Sequence, residues 1–282
     1  MNGAARDRAN AVRPFTQSHP APMKSILSAR LGPAAFGLAL FACPLVTPLV
    51  AAPVTTWTSG AGTVTGLDTA SPSFGSGSNQ ARASFAAQTL SEVGDSLVFS
   101  GAVTFVFPAA TNGGDGSFRW GLFNANGSSN DNGWSGYLTA NKLNGSVPLY
   151  EKDGGGGWTS TGNFTAVTTG ITGGRSNYAL SSGTYSISFT LVRVETGLSV
   201  SWSLVGQTNN YALSGSWIDT APTTYTFDRI ALQTVSNFGQ TEINFANLDI
   251  TYTPASVPEP SAAALGLGGA ALLTGMSLRR RR

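Results

Sequence analysis

Apolar side chains recur at every second position over long parts of this chain. Leu97, Phe99, Val103, Phe105 and Phe107 share one parity, and the run halts at Pro108 with Gly101 as an expected bulge. Tyr185, Ile187, Phe189 and Leu191 alternate, Glu195-Thr196-Gly197 turns the chain, and Leu198, Val200, Trp202 and Leu204 alternate back. This pattern predicts a hairpin with one buried face, leaving Ser186, Ser188, Ser199, Ser201 and Ser203 in water. Further strands are expected within 55–67 and at 117–123, 134–140, 147–152, 225–234 and 242–253. Polar turns and loops fall at 71–80, 111–116 and 124–133, and Gly154 to Gly157 read as a hairpin tip. The total is roughly 11 to 13 strands, with no amphipathic helix before Ser261. Two packed antiparallel sheets close the edges of so many strands, so the expected fold is an all-β, two-sheet jelly-roll sandwich over 53–253.

Both ends break this pattern. Met23 to Arg30 is a short basic run and Leu31 to Val50 an apolar stretch, which reads as a secretory signal helix within a leader over 1–52, with Met23 as the expected true start. At the other end, a linker over 254–260 carries Val257, Pro258, Glu259 and Pro260. Ser261 to Leu278 then has no charge, and four cations follow at Arg279, Arg280, Arg281 and Arg282. At about 1.5 Å per residue a helix over 261–278 spans roughly 27 Å, near the hydrocarbon thickness of a bilayer. The arginines are expected to stay cytoplasmic as stop-transfer cations, with the preceding chain on the far side.

This tail resembles the PEP-CTERM sorting signal of exopolysaccharide-producing Gram-negative bacteria, with Val257-Pro258-Glu259-Pro260 as its motif. The resemblance implies an exosortase-type processing enzyme as partner, transient anchoring in the inner membrane, and delivery to the cell surface or extracellular matrix. A plain single-span anchor is the other reading of the same residues.

Charge changes the picture of the middle. Between 53 and 256 lie seven basic and twelve acidic side chains, a balance of about −5 that the basic ends conceal. Nucleic acid is thereby disfavoured as a partner, because it needs clustered Lys and Arg. Cys43, in the leader, is the only cysteine, so no intrachain disulfide can form. His19 is the only histidine and also precedes the domain, which removes Ser-His-Asp and Cys-His sites and the usual zinc or copper ligands.

Phe118-Arg119-Trp120-Gly121-Leu122-Phe123-Asn124 resembles concanavalin A-like lectin and glucanase domains, as do Phe227 to Leu232 and Phe245 to Ile250. The likeness spans roughly 55–253 and implies the same sandwich and a carbohydrate ligand. Glu151 and Asp153, two apart on one strand, could pair as glycosidase carboxyls. The glucanase pattern Glu-x-Asp-x-Glu is incomplete, however, because Gly155 occupies its last position. No catalytic residue is therefore assigned, and the chain is expected not to be an enzyme, a glucanase-type glycan-active enzyme being the alternative. Trp134 and Tyr137 beside the 124–133 loop, with Arg119 on a neighbouring strand, form the expected sugar platform, since a pyranose offers an apolar face and hydroxyl edges. No cofactor is expected. Asp115, Asn124, Asn126, Asp131 and Asp153 could offer oxygens to calcium, and turn formation accounts for the same residues. The expected function is a secreted, non-enzymatic surface or matrix protein, structural or carbohydrate-contacting, with extracellular polysaccharide as its candidate partner.

Overall fold

The computed structural model describes residues 51–108, 116–142, 149–153, 155–160, 164–167, 170–173, 180–235 and 238–255. The chain divides into one unit of residues 1–46 and another of 47–282, and every described residue belongs to the second. The expected signal helix, sorting motif, membrane helix and arginine end all lie outside the described residues.

The fold is the expected all-β sandwich of two antiparallel sheets. One sheet runs β11 (Gly170–Gly173), β14 (Ala212–Asp219), β13 (Gly197–Gly206), β12 (Gly183–Val194), β6 (Ser96–Val106), β16 (Glu242–Thr253), β4 (Ser73–Phe74) and β3 (Val64–Thr65), with β1 (Ala52–Pro53) also on β16. The other runs β10 (Thr165–Val167), β9 (Leu149–Asp153), β8 (Ser135–Lys142), β7 (Ser117–Asn124), β15 (Thr226–Thr234), β5 (Asn79–Thr89) and β2 (Trp57–Ala61). Sixteen strands among the described residues exceed the 11 to 13 expected, because β1, β3, β4 and β10 are only two or three residues long. Such pieces carry no period of their own and are defined only by their neighbours.

Alternation places the core. Leu97, Phe99, Val103 and Phe105 of β6 and Tyr185, Ile187, Phe189 and Leu191 of β12 point between the sheets, all buried. The β12–β13 hairpin has the expected register, with Leu191 opposite Val200 and Phe189 opposite Trp202. Across the sandwich Phe105 meets Phe118 edge-on at 5.3 Å and Trp120 meets Trp202 at 6.0 Å and 87°. Burying one such ring stabilises by about 1.5–3 kcal/mol, and edge-to-face pairing adds roughly 0.5–1.5 kcal/mol.

The bulge expected at Gly101 is on the facing strand instead. Ala246 pairs with Ala102 and Asp249 with Ser100, so β16 inserts one residue between them. Asn247 takes the left-handed conformation at φ 53, and Leu248 turns into the core beside Gly101. A side chain at 101 would meet the Leu248 methyl at 2.6 Å and the Ala246 carbonyl at 3.0 Å. Glycine there makes room for the bulge rather than forming it.

Candidate functional site

The outer side of the second sheet carries its own small core. Phe123, Ala125, Trp134, Leu138, Trp158 and Ala231 pack together there, roofed by the 126–134 loop and by residues 155–160. Arg119 and Lys152 hold this roof down. Arg119, only 7% exposed, donates from Nη1 to the Thr159 carbonyl (2.9 Å) and to Gln233 Oε1 (3.3 Å), and from Nε to Ser117 Oγ (2.9 Å). Burial pulls its pKa below the usual guanidinium value.

Lys152 is wholly buried, and its ammonium donates to three backbone carbonyls: Trp134 (2.7 Å), Gly155 (3.2 Å) and Asn132 (3.3 Å). Burial lowers its pKa, and the charges of Asp131 and Asp153 work in the opposite direction. A cation thus sits among loop carbonyls, and it belongs to the chain. Of the side chains considered as calcium ligands, Asn124 makes a turn, its Oδ1 accepting from the Asn126 amide (2.8 Å), and Asn130 in the same loop does likewise with the Asn132 amide (3.1 Å). Asn126, at φ 50, donates to the Gly133 carbonyl and to Ser135 Oγ. Asp153 is exposed, and Asp115 lies outside the described residues. Among the described residues no group of three or more His, Cys, Asp or Glu is placed to hold a metal.

The platform expected from Arg119, Trp134 and Tyr137 does not assemble. Tyr137 faces the opposite side of the sheet from the loop, fully buried in the main core, with its hydroxyl donating to Asp219 Oδ2 (2.6 Å). Burial, and then that bond, push its pKa far above the ordinary phenol range. Alternation along β8 is the physical reason, since Tyr137 and Leu138 must face opposite sides. Arg119 is committed to its three acceptors. Trp134, 3% exposed, packs against Phe123 at 5.8 Å, so its ring faces are not free to stack on a sugar.

Glu151 pairs with a carboxyl other than that of Asp153. Glu151 lies opposite Tyr137 in the strand register and shares a hydrogen bond with Asp219. Partial burial, and next the Asp219 charge, push its pKa up to about 7. Its Oε1 also accepts from the Thr223 amide (3.3 Å), and Asp219 Oδ1 accepts from the Ala221 amide (2.9 Å). Two carboxyls in direct hydrogen-bond contact leave no room for the water or sugar atom that glycoside hydrolysis places between them.

Beside the roofed core lies a polar groove of about 240 Å³. Thr58 of β2, Arg82 and Ser84 of β5 and Arg229 of β15 form its sheet side, and Ser128, Ser129 and Trp134 form its loop side. Arg229 pairs with Ser84 in register and Ala231 with Arg82, so the arginines stand diagonally on one face, about 7–8 Å apart at the backbone. Arg229 Nη1 bonds Asp228 through both Oδ2 (3.1 Å) and the carbonyl (2.8 Å), while Asp228 Oδ1 accepts from the Ala125 amide. Arg82 makes no hydrogen bond or ion pair with any described residue. A second hollow, about 300 Å³, lies on the outer face of the other sheet over Gly215, lined by uncharged hydroxyls including Ser188, Thr190, Ser201 and Ser203. Of the groove residues the sequence reading named only Trp134, although two arginines at outward strand positions in an acidic domain were a signal.

The fold and groove define an all-β sandwich with a rigid polar cleft on one sheet. No family model matches the chain, and no curated protein matches it. Solved structures similar to it include a Lotus tetragonolobus seed lectin at 11% identity, covering 74% of this chain and 100% of that one, with a TM-score of 0.47. Ulex europaeus lectin I, solved with the methyl glycoside of alpha-L-fucose, is 9% identical over 70% of this chain and 92% of its own, with a TM-score of 0.46. Arcelin-5, a lectin-like defence protein from Phaseolus vulgaris, is 6% identical over 73% and 98%, with a TM-score of 0.48. The sandwich assignment rests on the strand pairing itself.

Proposed function

We propose that this chain is an exported, non-enzymatic carbohydrate-contacting protein of the cell surface or extracellular matrix, and that the groove beside Trp134 is its saccharide site. The observation that carries the reading is the groove's combination of four hydroxyl side chains and two guanidinium groups across a sheet face and its covering loop. A sugar ring presents hydroxyls to short polar side chains and guanidinium groups, and partners held on a sheet are ordered before the ligand arrives. The sorting tail at Val257–Pro260 and Arg279–Arg282 supports export by an exosortase-type route through the inner membrane.

A glycan array with a parallel hydrolysis screen tests the site. Retention of a glycan without release of reducing ends, abolished by filling the groove with Ser84→Trp, is the expected result. Release of reducing ends would overturn the non-enzymatic reading in favour of the glucanase-type alternative, and failure to retain any glycan would overturn the saccharide site. Mass spectrometry of surface-exposed protein tests the route, and an intact Arg279–Arg282 end there would overturn processing.

A further inference from the structure

We infer that the groove takes an anionic saccharide, one bearing carboxylate groups, in preference to a neutral one; this rests on reading the groove as the saccharide site. The argument is where the domain spends its cations. Five Lys and Arg side chains are described between 53 and 255, in a span whose acids outnumber its bases. Three are consumed internally. Arg119 and Lys152 are buried on loop carbonyls. Arg193 donates to the Gly197 carbonyl (2.8 Å) and lies 4.0 Å over the Tyr225 ring. The other two, Arg82 and Arg229, line the same groove, Arg229 with one nitrogen on Asp228.

Placing two guanidinium groups side by side on an outward sheet face is unfavourable unless something negative lies between them. Asp228 meets part of this need for Arg229, through one nitrogen and at the groove's edge. Arg82 has no such partner among the described residues. A neutral sugar seated in the groove would strip water from Arg82 and return only dipolar contacts, whereas a carboxylate accepts two parallel hydrogen bonds from one guanidinium fork. The hydroxyls of Thr58, Ser84 and Ser129 are then left to read the sugar's own hydroxyls. The domain's net negative charge disfavours a polyanion that would cover a wide surface, so recognition is of one or two acidic sugar units at a local positive site.

The test is calorimetric titration of the full chain with a galacturonate oligomer, with its fully methyl-esterified form, and with a neutral galactose oligomer. The acidic oligomer should bind at least tenfold more tightly than either uncharged probe, with affinity falling as salt is raised. Arg82→Gln and Arg229→Gln should each lose about tenfold or more for the acidic probe, as expected for a charge-assisted hydrogen bond, while melting at the wild-type temperature. Equal binding of acidic and esterified oligomers, or acidic binding untouched by both Arg variants, would overturn the anionic preference and leave the saccharide site standing if Ser84→Trp still abolishes it. Binding that survives Ser84→Trp, or the absence of binding by every probe and glycan, would overturn the groove itself.

Discussion

Replacing Lys152 with Met tests whether the 126–134 loop is held by a cation of its own. Methionine retains a flexible apolar stem of similar reach and removes the ammonium, leaving the carbonyls of Asn132, Trp134 and Gly155 without their donor. Asn132 and Gly155 are exposed residues whose carbonyls can turn to water. Trp134 is buried, and its carbonyl makes the shortest of the three bonds, 2.7 Å. The cost is therefore set mainly by one dry, unpaired acceptor, about 2 kcal/mol. The charge itself adds little, since burial already works against the ammonium. For a domain of this size that loss lowers the melting temperature by roughly 4–8 °C. Differential scanning calorimetry reads it directly, and the same scan with calcium or with EDTA should leave the wild type unmoved. A Met variant that melts with the wild type, or a wild type that gains several degrees on adding calcium, would refute the built-in cation.

Two further perturbations probe other parts of the fold. Glu151 has a folded pKa of about 7, above its unfolded value, so its stabilising contribution is complete below about pH 4.5 and is lost as pH rises through 7. Because the group is half exposed, screening reduces the penalty above pH 7 to about 1–2 kcal/mol. Glu151→Gln should match the wild type in urea denaturation at pH 5 and exceed it by that amount at pH 8, and a difference that does not change with pH would refute the carboxyl–carboxylate pair. Gly101→Val drives a side chain against Leu248 and the bulge carbonyls and should lower stability by about 1–3 kcal/mol, seen as a lower urea midpoint; an unchanged midpoint would show that the bulge yields.

Sequence alone reached the sandwich because both faces of the main core announce themselves by parity. The β12–β13 hairpin was legible residue by residue, and so was β6. The β16 bulge was legible too, in hindsight: its apolar positions pass from Ile243 and Phe245 to Leu248 and Ile250, a change of phase that requires one extra residue. Attention went to Gly101 because glycine is the usual sign of a bulge, whereas the bulged residue here is Asn247. Tyr137 was misplaced for a different reason. Proximity to a polar loop was allowed to outweigh the strand's alternation, and alternation wins whenever both faces of a strand are covered. The groove was the least legible feature, because Arg82 and Arg229 meet only through the pairing of β5 with β15, and no local pattern encodes that pairing.

The same two problems, holding long loops and presenting a site, have one solution in this chain. A domain without cysteine cannot staple its loops covalently, and Asn124 and Asn130 only turn the chain locally. What remains is to drive long polar side chains into the backbone. Lys152 and Arg119 bind loop carbonyls, Asn79 receives the Thr63 amide (2.8 Å) and donates to the Gly75 carbonyl (2.8 Å), and Asp95 receives the amides of Glu92 (2.9 Å) and Ala255 (2.7 Å). Each satisfies a backbone group that a dry loop would otherwise leave unpaired, so each fixes loop position as well as stability. The groove inherits that rigidity: its loop side, Ser128, Ser129 and Trp134, hangs from the carbonyls that Lys152 gathers, and its sheet side is the β5–β15 ladder. Cations buried to organise the loops cannot also meet a ligand, which leaves the groove to be served by Arg82 and by the part of Arg229 that Asp228 does not occupy.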